Sequence, residues 1–503
     1  MVRVLGTALL GVDGIPVEVE VRVSAQLPRV DIVGLPELSV RESAARVRAA
    51  IASVGERFPD NRVTVNLAPA GLRKSGSGLD LAIAVGILVA TGAIDSEATQ
   101  GLAFVGELAL DGRLRGVRGE LAMSVAARDA GCHGLIAPAR GGRAAARIPG
   151  LEVYVAETLA QVLAHLRGER ALDQGSDFDP SASEPEELCI SDVKGQEGAK
   201  RALEIAAAGG HGLLLSGPPG CGKTMLARRL PGILPPLNEE EALTATIIHD
   251  AAGLLSENQT ALRSRPFRSP HHTASLAGLL GGGTPPTPGE VSLAHGGVLF
   301  LDELPEFERR AREALRQVLE DRSIVIARAH YTCRLPADFM FVATANPCPC
   351  GWWGSQQRPC RCDGRAIQRY RERLSGPLLD RIDLHVRVPG QNWHQLGEAV
   401  RGPNSARVRA RIQRARQKQQ ERAGACNANL DDRQLEAELA VTDGAQALLA
   451  RAVDQFCLSA RAIRRVQRVA RTVADLGGAE GVDESALAEA LGFREEAGGR
   501  PED

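Results

Sequence analysis

Residues 217–224 read GPPGCGKT, and this stretch sets the class of fold. It fits G-x-x-x-x-G-K-[ST] in full, after the apolar run GLLLS and before the helical MLARRL. A strand, a glycine loop and a helix in that order form a phosphate cradle. Gly217, Gly220 and Gly222 let the backbone approach phosphate oxygens, with Pro218, Pro219 and Cys221 completing the loop. Lys223 brings a positive charge to the outer phosphates, and Thr224 supplies an oxygen for Mg²⁺.

Such a cradle needs an acidic partner at the end of a buried strand. GGVLFLDE, about 80 residues further on, supplies Asp302 for the magnesium shell and Glu303 to polarise the attacking water. The next strand, DFMFVATAN, ends in Asn346, a polar side chain placed to sense the γ-phosphate. These elements predict ATP hydrolysis with Mg²⁺. In LSGPLLDRIDL (residues 374–384) Arg381 stands between two aspartates. It can stabilise transition-state charge or form an ion pair with Asp380 or Asp383, and position alone favours the ion pair.

Working outward, the chain divides into blocks. Residues 1–167 hold period-two strands such as VEVEVRV (17–23) and RVTVNL (62–67), with a helix after Ser39 as its cap. Residues 168–187 are polar, acidic and Pro/Ser/Gly-bearing, which predicts a linker. Residues 188–395 alternate short apolar runs with helical stretches, the pattern of a parallel-sheet α/β core. Residues 396–495 read as helical and Arg-rich, and 496–503 as a tail. The fold class expected is therefore α/β: an N-terminal α+β domain, a P-loop core with a parallel sheet and a C-terminal helical lid. No internal repeat stands out.

Composition limits the function. Of 503 residues 44% are hydrophobic, 24% charged and only 3% aromatic, so the cores rest on aliphatic side chains. The formal charge of −2 leaves any nucleic-acid contact to local basic patches. The most apolar window, LAIAVGILVATG, is too short to cross a bilayer, so no membrane partner and a cytoplasmic location are expected.

The order GPPGCGKT, GGVLFLDE, ATAN, LLDRIDL, LSARAIRRVQRVART resembles the AAA+ ATPases of the magnesium-chelatase-like branch. The stretch from RPFRSPHHTASL through LAHGGVLFLDELPEF is similar to that branch throughout. With the N-terminal block, the whole resembles the ComM (YifB) family of bacterial DNA uptake. That resemblance implies a homo-oligomeric, hexameric ring acting on single-stranded or branched DNA as a helicase or branch-migration factor in natural transformation or recombination. It makes Asn346 the first sensor, Arg381 an arginine finger acting in trans, and Arg461 the second sensor on the lid. A β-hairpin is implied near LLGGGTPPTPGE, and His271 and His272 beside it read as structural or as substrate contacts. The alternatives are a chelatase-type ATPase subunit that drives metal insertion, and an ATP-dependent protease.

NRVTVNLAPAGLRKSGSGLDLAIAVGILVATG followed by FVGELALDGRLRGVRG resembles the proteolytic domain of Lon proteases, which uses a Ser–Lys dyad. Here the nucleophile position falls on Gly78, and the lysine position on Leu121 or Met123. No lysine occurs between Lys74 and Lys194, so proteolysis is expected to be lost.

Two basic segments are candidate DNA contacts. One runs from Arg358 through Arg361, Arg365, Arg369, Arg371 and Arg373, with Trp352, Trp353 and Tyr370 interspersed. The other places Arg407, Arg411, Arg414 and Lys418 on one helical face, where a solvated surface is an equal reading. Just before the first segment stand Cys348, Cys350, Cys360 and Cys362. In a reducing compartment the best account is a tetrathiolate Zn²⁺ site, with reduced loop thiols as the alternative.

Overall fold

The computed structural model describes residues 1–175, 188–256, 259–328, 331–355, 357–374, 376–391 and 402–498. The N-terminal part is an eight-stranded mixed sheet. Its strands run in the order Asp173–Gln174, Glu152–Ala156, Gly134–Pro138, Leu102–Phe104, Val2–Leu10, Asp13–Ser24, Arg62–Ala68, Arg29–Val33. Alternation sets the register here. Val17, Val19 and Val21 are fully buried while Glu18 and Arg22 point to solvent.

The apolar window of the sequence is the helix Asp80–Ala90, buried from Asp80 through Val89. Fully burying each of its Leu, Ile and Val side chains is worth about 1.5–3 kcal/mol. Gly86 fits because a Cβ there would stand 2.8 Å from Val21 Cγ2, so the helix lies closer to the sheet than any other residue permits. The buried Asp80 carboxylate is pushed up by desolvation and held back by Arg46, whose Nε donates to it at 2.6 Å.

Two local expectations are corrected. Ser39 caps no helix. The segment forms helices Leu38–Arg41 and Ser43–Ser53, and Ser39 Oγ accepts the N–H of Gly76 at 3.1 Å instead. The first part of the expected linker belongs to the domain, because Asp173 and Gln174 pair antiparallel with Val155 and Tyr154 through backbone groups, which polar side chains do not prevent. Residues 176–187 lie outside the described residues.

The central sheet is five-stranded and wholly parallel, in the order Phe267–Arg268, Val298–Leu301, Met340–Ala345, Leu213–Ser216, Leu384–Arg387. The strand leading to Asn346 is thus central, flanked on one side by the strand before the phosphate loop and on the other by the strand before Asp302. Gly281–Gly282 and Thr287–Pro288 form the small hairpin, and Ser323–Arg328 with Tyr331–Pro336 a second one. Helices Ser405–Ala423, Asp443–Phe456, Ala460–Gly477 and Glu484–Gly498 follow, the last running into the stretch expected as a tail. The boundary expected at 395/396 and the tail residues 499–503 lie outside the described residues.

The first and central parts share packing. Val12 joins the core that holds Leu335 and Cys333 of the second hairpin. Leu255 joins the core around Leu121 and Met123, where the Leu121 N–H donates to Asp250 Oδ2 at 2.9 Å. All ten cysteines are free thiols.

Candidate nucleotide site

The C-terminal ends of the three inner strands converge on one polar cluster. Gly222 (φ 94°) and Gly220 (φ 77°) adopt left-handed backbone that favours glycine. A Cβ on Gly217 would meet Val388 O at 2.2 Å. Lys223 is buried, and its Nζ donates to Gly217 O at 2.6 Å, Pro218 O at 3.0 Å and Asn346 Oδ1 at 3.1 Å. Burial lowers its pKa, which makes an anion in the loop welcome.

Around Lys223 the acidic residues are tied into one network. Thr224 Oγ1 donates to Asp302 Oδ2 at 2.9 Å, and Thr344 Oγ1 to Asp302 Oδ1 at 2.6 Å. The Glu303 N–H donates to Thr344 Oγ1 at 2.8 Å, and Asn346 Nδ2 to Glu303 Oε1 at 3.3 Å. Glu303 holds φ at 54°, a conformation that costs a non-glycine residue about 1–3 kcal/mol and clusters at working sites. The hydroxyl of Thr224 and the carboxylate of Asp302 are hard oxygen donors side by side, the set that fits Mg²⁺.

Sequence reasoning missed Thr344, although it shares a strand face with Asn346, two residues on. It also missed a cavity of about 150 Å³ on the loop's flank, lined by Val193, Gln196, Met225, Leu226 and Gln391. Gln196 braces it by donating to Cys221 O at 3.3 Å and Pro389 O at 2.8 Å.

The two arginine candidates lie elsewhere. The Asp383 N–H donates to Gly212 O at 3.1 Å, at the entrance of the strand whose exit forms the cradle. Five extended residues separate those ends, roughly 16 Å. Arg381 pairs with Glu320, not with Asp380 or Asp383, and donates to Pro377 O at 2.6 Å, leaving Nε buried without an acceptor. Asp383 pairs with Arg465 and His211. Burial opposes its ionisation, and the His211 hydrogen bond and the Arg465 charge hold its pKa below the usual range. Arg465 also donates to Arg381 O at 2.8 Å. Arg461 is exposed one helical turn before Arg465, about 6 Å along the axis. Arg381 therefore belongs to the end of the sheet away from the cradle, and Arg461 stands on the helix that packs there through Arg465. A cavity of about 190 Å³ opens there, lined by Arg265, Arg322, Arg381, Arg465 and Arg468 among others.

Beyond Asn346 the four cysteine sulfurs lie within 4.8 Å of one another. Cys348 Sγ is 3.4 Å from Cys350 and 3.7 Å from Cys360, and Cys350 is 3.6 Å from Cys360. A tetrahedral ion with bonds of about 2.3 Å spaces sulfurs about 3.8 Å apart, so the cluster is near the size of a thiolate metal site. Backbone N–H groups of Arg361 and Trp352 bring the Cys350 thiol down to about 6. The His271 and His272 rings lie tilted with centroids 4.1 Å apart, and His272 meets Phe307 edge-on, while His271 is exposed.

The aromatic side chains depart from expectation. Trp352 and Trp353 are half-buried, and Tyr370 is buried, its hydroxyl pushed up to about 12 by burial and by Glu306 and Glu303. Arg358 covers Trp352 at 5.7 Å and Arg371 covers Trp353 at 5.1 Å. Arg358, Arg361, Arg365, Arg369, Arg371 and Arg373 are exposed. On the second basic face Arg411 is taken up by Glu204 at 2.6 Å, while Arg407, Arg414 and Lys418 remain exposed.

Comparison with known proteins fits this geometry. The family described as magnesium chelatase, subunit ChlI, matches residues 189–396, with its companion ChlI families matching 19–141 and 402–494. The competence protein ComM of Haemophilus influenzae is 43% identical over 98% of this chain and 97% of its own. The chain belongs to the ComM/YifB family. The YifB protein of Escherichia coli is 42% identical over 97% of this chain and 96% of its own. The Lon protease 2 of Bacillus subtilis is 29% identical over 32% of this chain and 33% of its own. The Lon-like part is built without the dyad's chemistry. A Cβ on Gly78 would stand 3.5 Å from Met123 Cε, so the two matching positions face each other as glycine and methionine. Lys74 is buried, donating to Gly34 O and Leu67 O at 3.1 Å each and to Pro69 O. Among the described residues no helix is long and apolar enough to cross a membrane.

Proposed function

We propose that this ComM/YifB-family protein hydrolyses ATP and couples the reaction to movement along, or remodelling of, single-stranded or branched DNA, as a cytoplasmic hexameric ring. The single observation that carries the ATPase reading is the closed network Lys223–Asn346–Glu303–Thr344–Asp302–Thr224 at one set of strand ends. Glu303 accepts a proton from the attacking water, oriented by Asn346, while Lys223 meets the charge that develops on the γ-phosphoryl oxygens. Mg²⁺, held by Thr224 and Asp302, screens the phosphate charge when bound. The flanking cavity takes the base.

The ring reading rests on Arg381 and Arg461, which share the end remote from their own cradle and so serve the site of the next subunit. A cyclic head-to-tail contact supplies that geometry. The DNA reading rests on the six exposed arginines beside the cysteine cluster, a phosphate-binding strip next to the hydrolytic network. It also agrees with the competence named in the Haemophilus influenzae relative. Zn²⁺ held by Cys348, Cys350, Cys360 and Cys362 is the structural ion proposed there. The N-terminal domain is a non-proteolytic scaffold, with Gly78 facing Met123.

The test is the ATPase rate with and without single-stranded and branched DNA, with Glu303→Gln as the inactive control. DNA raises the rate several-fold. Replacing Arg358, Arg361 and Arg365 by alanine removes most of that rise and flattens its salt dependence, as lost phosphate contacts require. An ATPase indifferent to DNA, with no strand displacement, would reject the motor.

A further inference from the structure

The cysteine loop does more than stand beside the nucleotide site. Its first ligand, Cys348, is fully buried two residues after Asn346. Gly351, at φ 80°, lies against the phosphate loop so closely that a Cβ there would be 2.5 Å from Pro219 Cδ. Arg387, at the exit of the neighbouring strand, donates to Gly354 O at 3.1 Å. Gln357 Nε2 donates to Gln391 O at 3.1 Å, and Gln391 lines the flanking cavity. The loop thus touches the sensor strand, the phosphate loop and the wall of the base pocket. Between these contacts the loop is held by two backbone turns, at Cys348–Gly351 and Trp352–Ser355, and by the four sulfurs, with N–H groups of Trp353 and Cys362 directed at Cys348 and Cys360 at 3.3 and 3.4 Å. N–H···S bonds of that kind orient thiolate ligands around a metal.

We propose that the tetrathiolate metal staple is a structural wall of the nucleotide site, so that bound Zn²⁺ sets nucleotide affinity by holding Gly351 against Pro219 and Asn346 beside Lys223. This deepens the ATPase reading and rests on the zinc assignment made with it. Without the ion, four thiols replace one cross-link, and residues 348–362 lose the constraint that seats them on the phosphate loop. The nucleotide must then order that wall itself as it binds, which lowers its affinity. Gly351 is the positioning residue that carries the contact.

Two measurements on the full chain, prepared without chelator, test this. Zinc is counted by mass spectrometry, and affinity is read from the fluorescence of a methylanthraniloyl-labelled ADP. The expected results are one zinc per chain, and a Kd that rises at least about tenfold when zinc is stripped and returns on adding zinc alone. Cys360→Ser with Cys362→Ser reproduces the stripped state. Gly351→Val keeps its zinc yet weakens nucleotide binding by a similar factor, because its side chain presses on Pro219 and forces the backbone out of its left-handed conformation. This variant leaves every sulfur in place, so it separates the wall from general unfolding. One zinc per chain with unchanged nucleotide affinity, both after stripping and in Gly351→Val, overturns the coupling and leaves the zinc assignment standing. Zinc far below one per chain overturns both, while the ATPase reading is judged separately by Glu303→Gln.

Discussion

Glu303→Gln lowers ATP turnover by about 10²–10⁴-fold, the range lost with a general base, and leaves nucleotide binding intact. Steady-state turnover and labelled-ADP binding on the same preparation check both halves. The substitution keeps the side chain's size and an oxygen able to accept from Asn346 Nδ2, now 3.3 Å from Glu303 Oε1. What it removes is the negative charge and the ability to take a proton. The backbone that aims Glu303 is untouched, because the left-handed turn and the N–H bond to Thr344 do not depend on the carboxylate. A loss of binding equal to the loss of turnover would mean that Glu303 holds the site together and is not its base. Thr344→Val makes a useful contrast. It unties both Asp302 Oδ1 and the Glu303 N–H while leaving both carboxylates in place, so it measures positioning apart from chemistry.

How much of this was legible in the sequence depends on whether the feature was local. The cradle, Asp302, Glu303 and Asn346 could be read because each sits at the end of an apolar strand with a fixed spacing, and a parallel sheet brings such ends together. Thr344 lies inside one of those strands, where a single hydroxyl in an apolar run gives no signal until its neighbour is known. The cavity on the loop's flank joins Val193, Met225 and Gln391, residues from three separate segments, and no local pattern could assemble them. Ser39 and the strand at Asp173–Gln174 were misjudged for a related reason. Side-chain type suggested a cap and a linker, while backbone groups made the decisive bonds with Gly76 and with Val155 and Tyr154. Tyr370 looked like a stacking surface because its arginine neighbours are charged, yet its helix turns it inward beside the acids. For the Lon-like domain, the sequence already showed that the lysine was missing. The structure adds that position 78 lies against Met123, so the two positions that the resemblance matches to the dyad are neighbours, occupied by glycine and methionine.

Arg381→Ala abolishes turnover in a ring made of that variant alone, by about 10³-fold or more, the scale of a lost arginine finger. Mixing the two dead proteins distinguishes a finger acting in trans from one acting in cis. In a ring assembled at random from equal amounts of Arg381→Ala and Glu303→Gln, a site works when an Arg381→Ala subunit supplies the intact Glu303 and its neighbour supplies the intact Arg381. About one head-to-tail interface in four meets that condition, so turnover returns to about a quarter of the wild-type rate if sites act independently. A finger that served its own cradle would give no recovery, since each chain lacks one half of its own site. The sheet argues for the first result: Arg381 enters at the opposite end of the strand from Lys223, roughly 16 Å away. It is also locked in that position, through its carbonyl by Arg465 and through its guanidinium by Glu320. Swinging it back across the sheet would break both contacts and the buried Asp383 pair beneath them. Meeting a neighbour requires only that Glu320 release the guanidinium to a stronger anion. Release is feasible from the carboxylate side, since Glu320's side chain is 52% exposed while that of Arg381 is only 9% exposed, so the guanidinium has to turn outward to reach a neighbour. Glu320→Gln accordingly leaves turnover near the wild-type rate, whereas Arg381→Lys, which keeps the charge but loses the planar fork, recovers little of it.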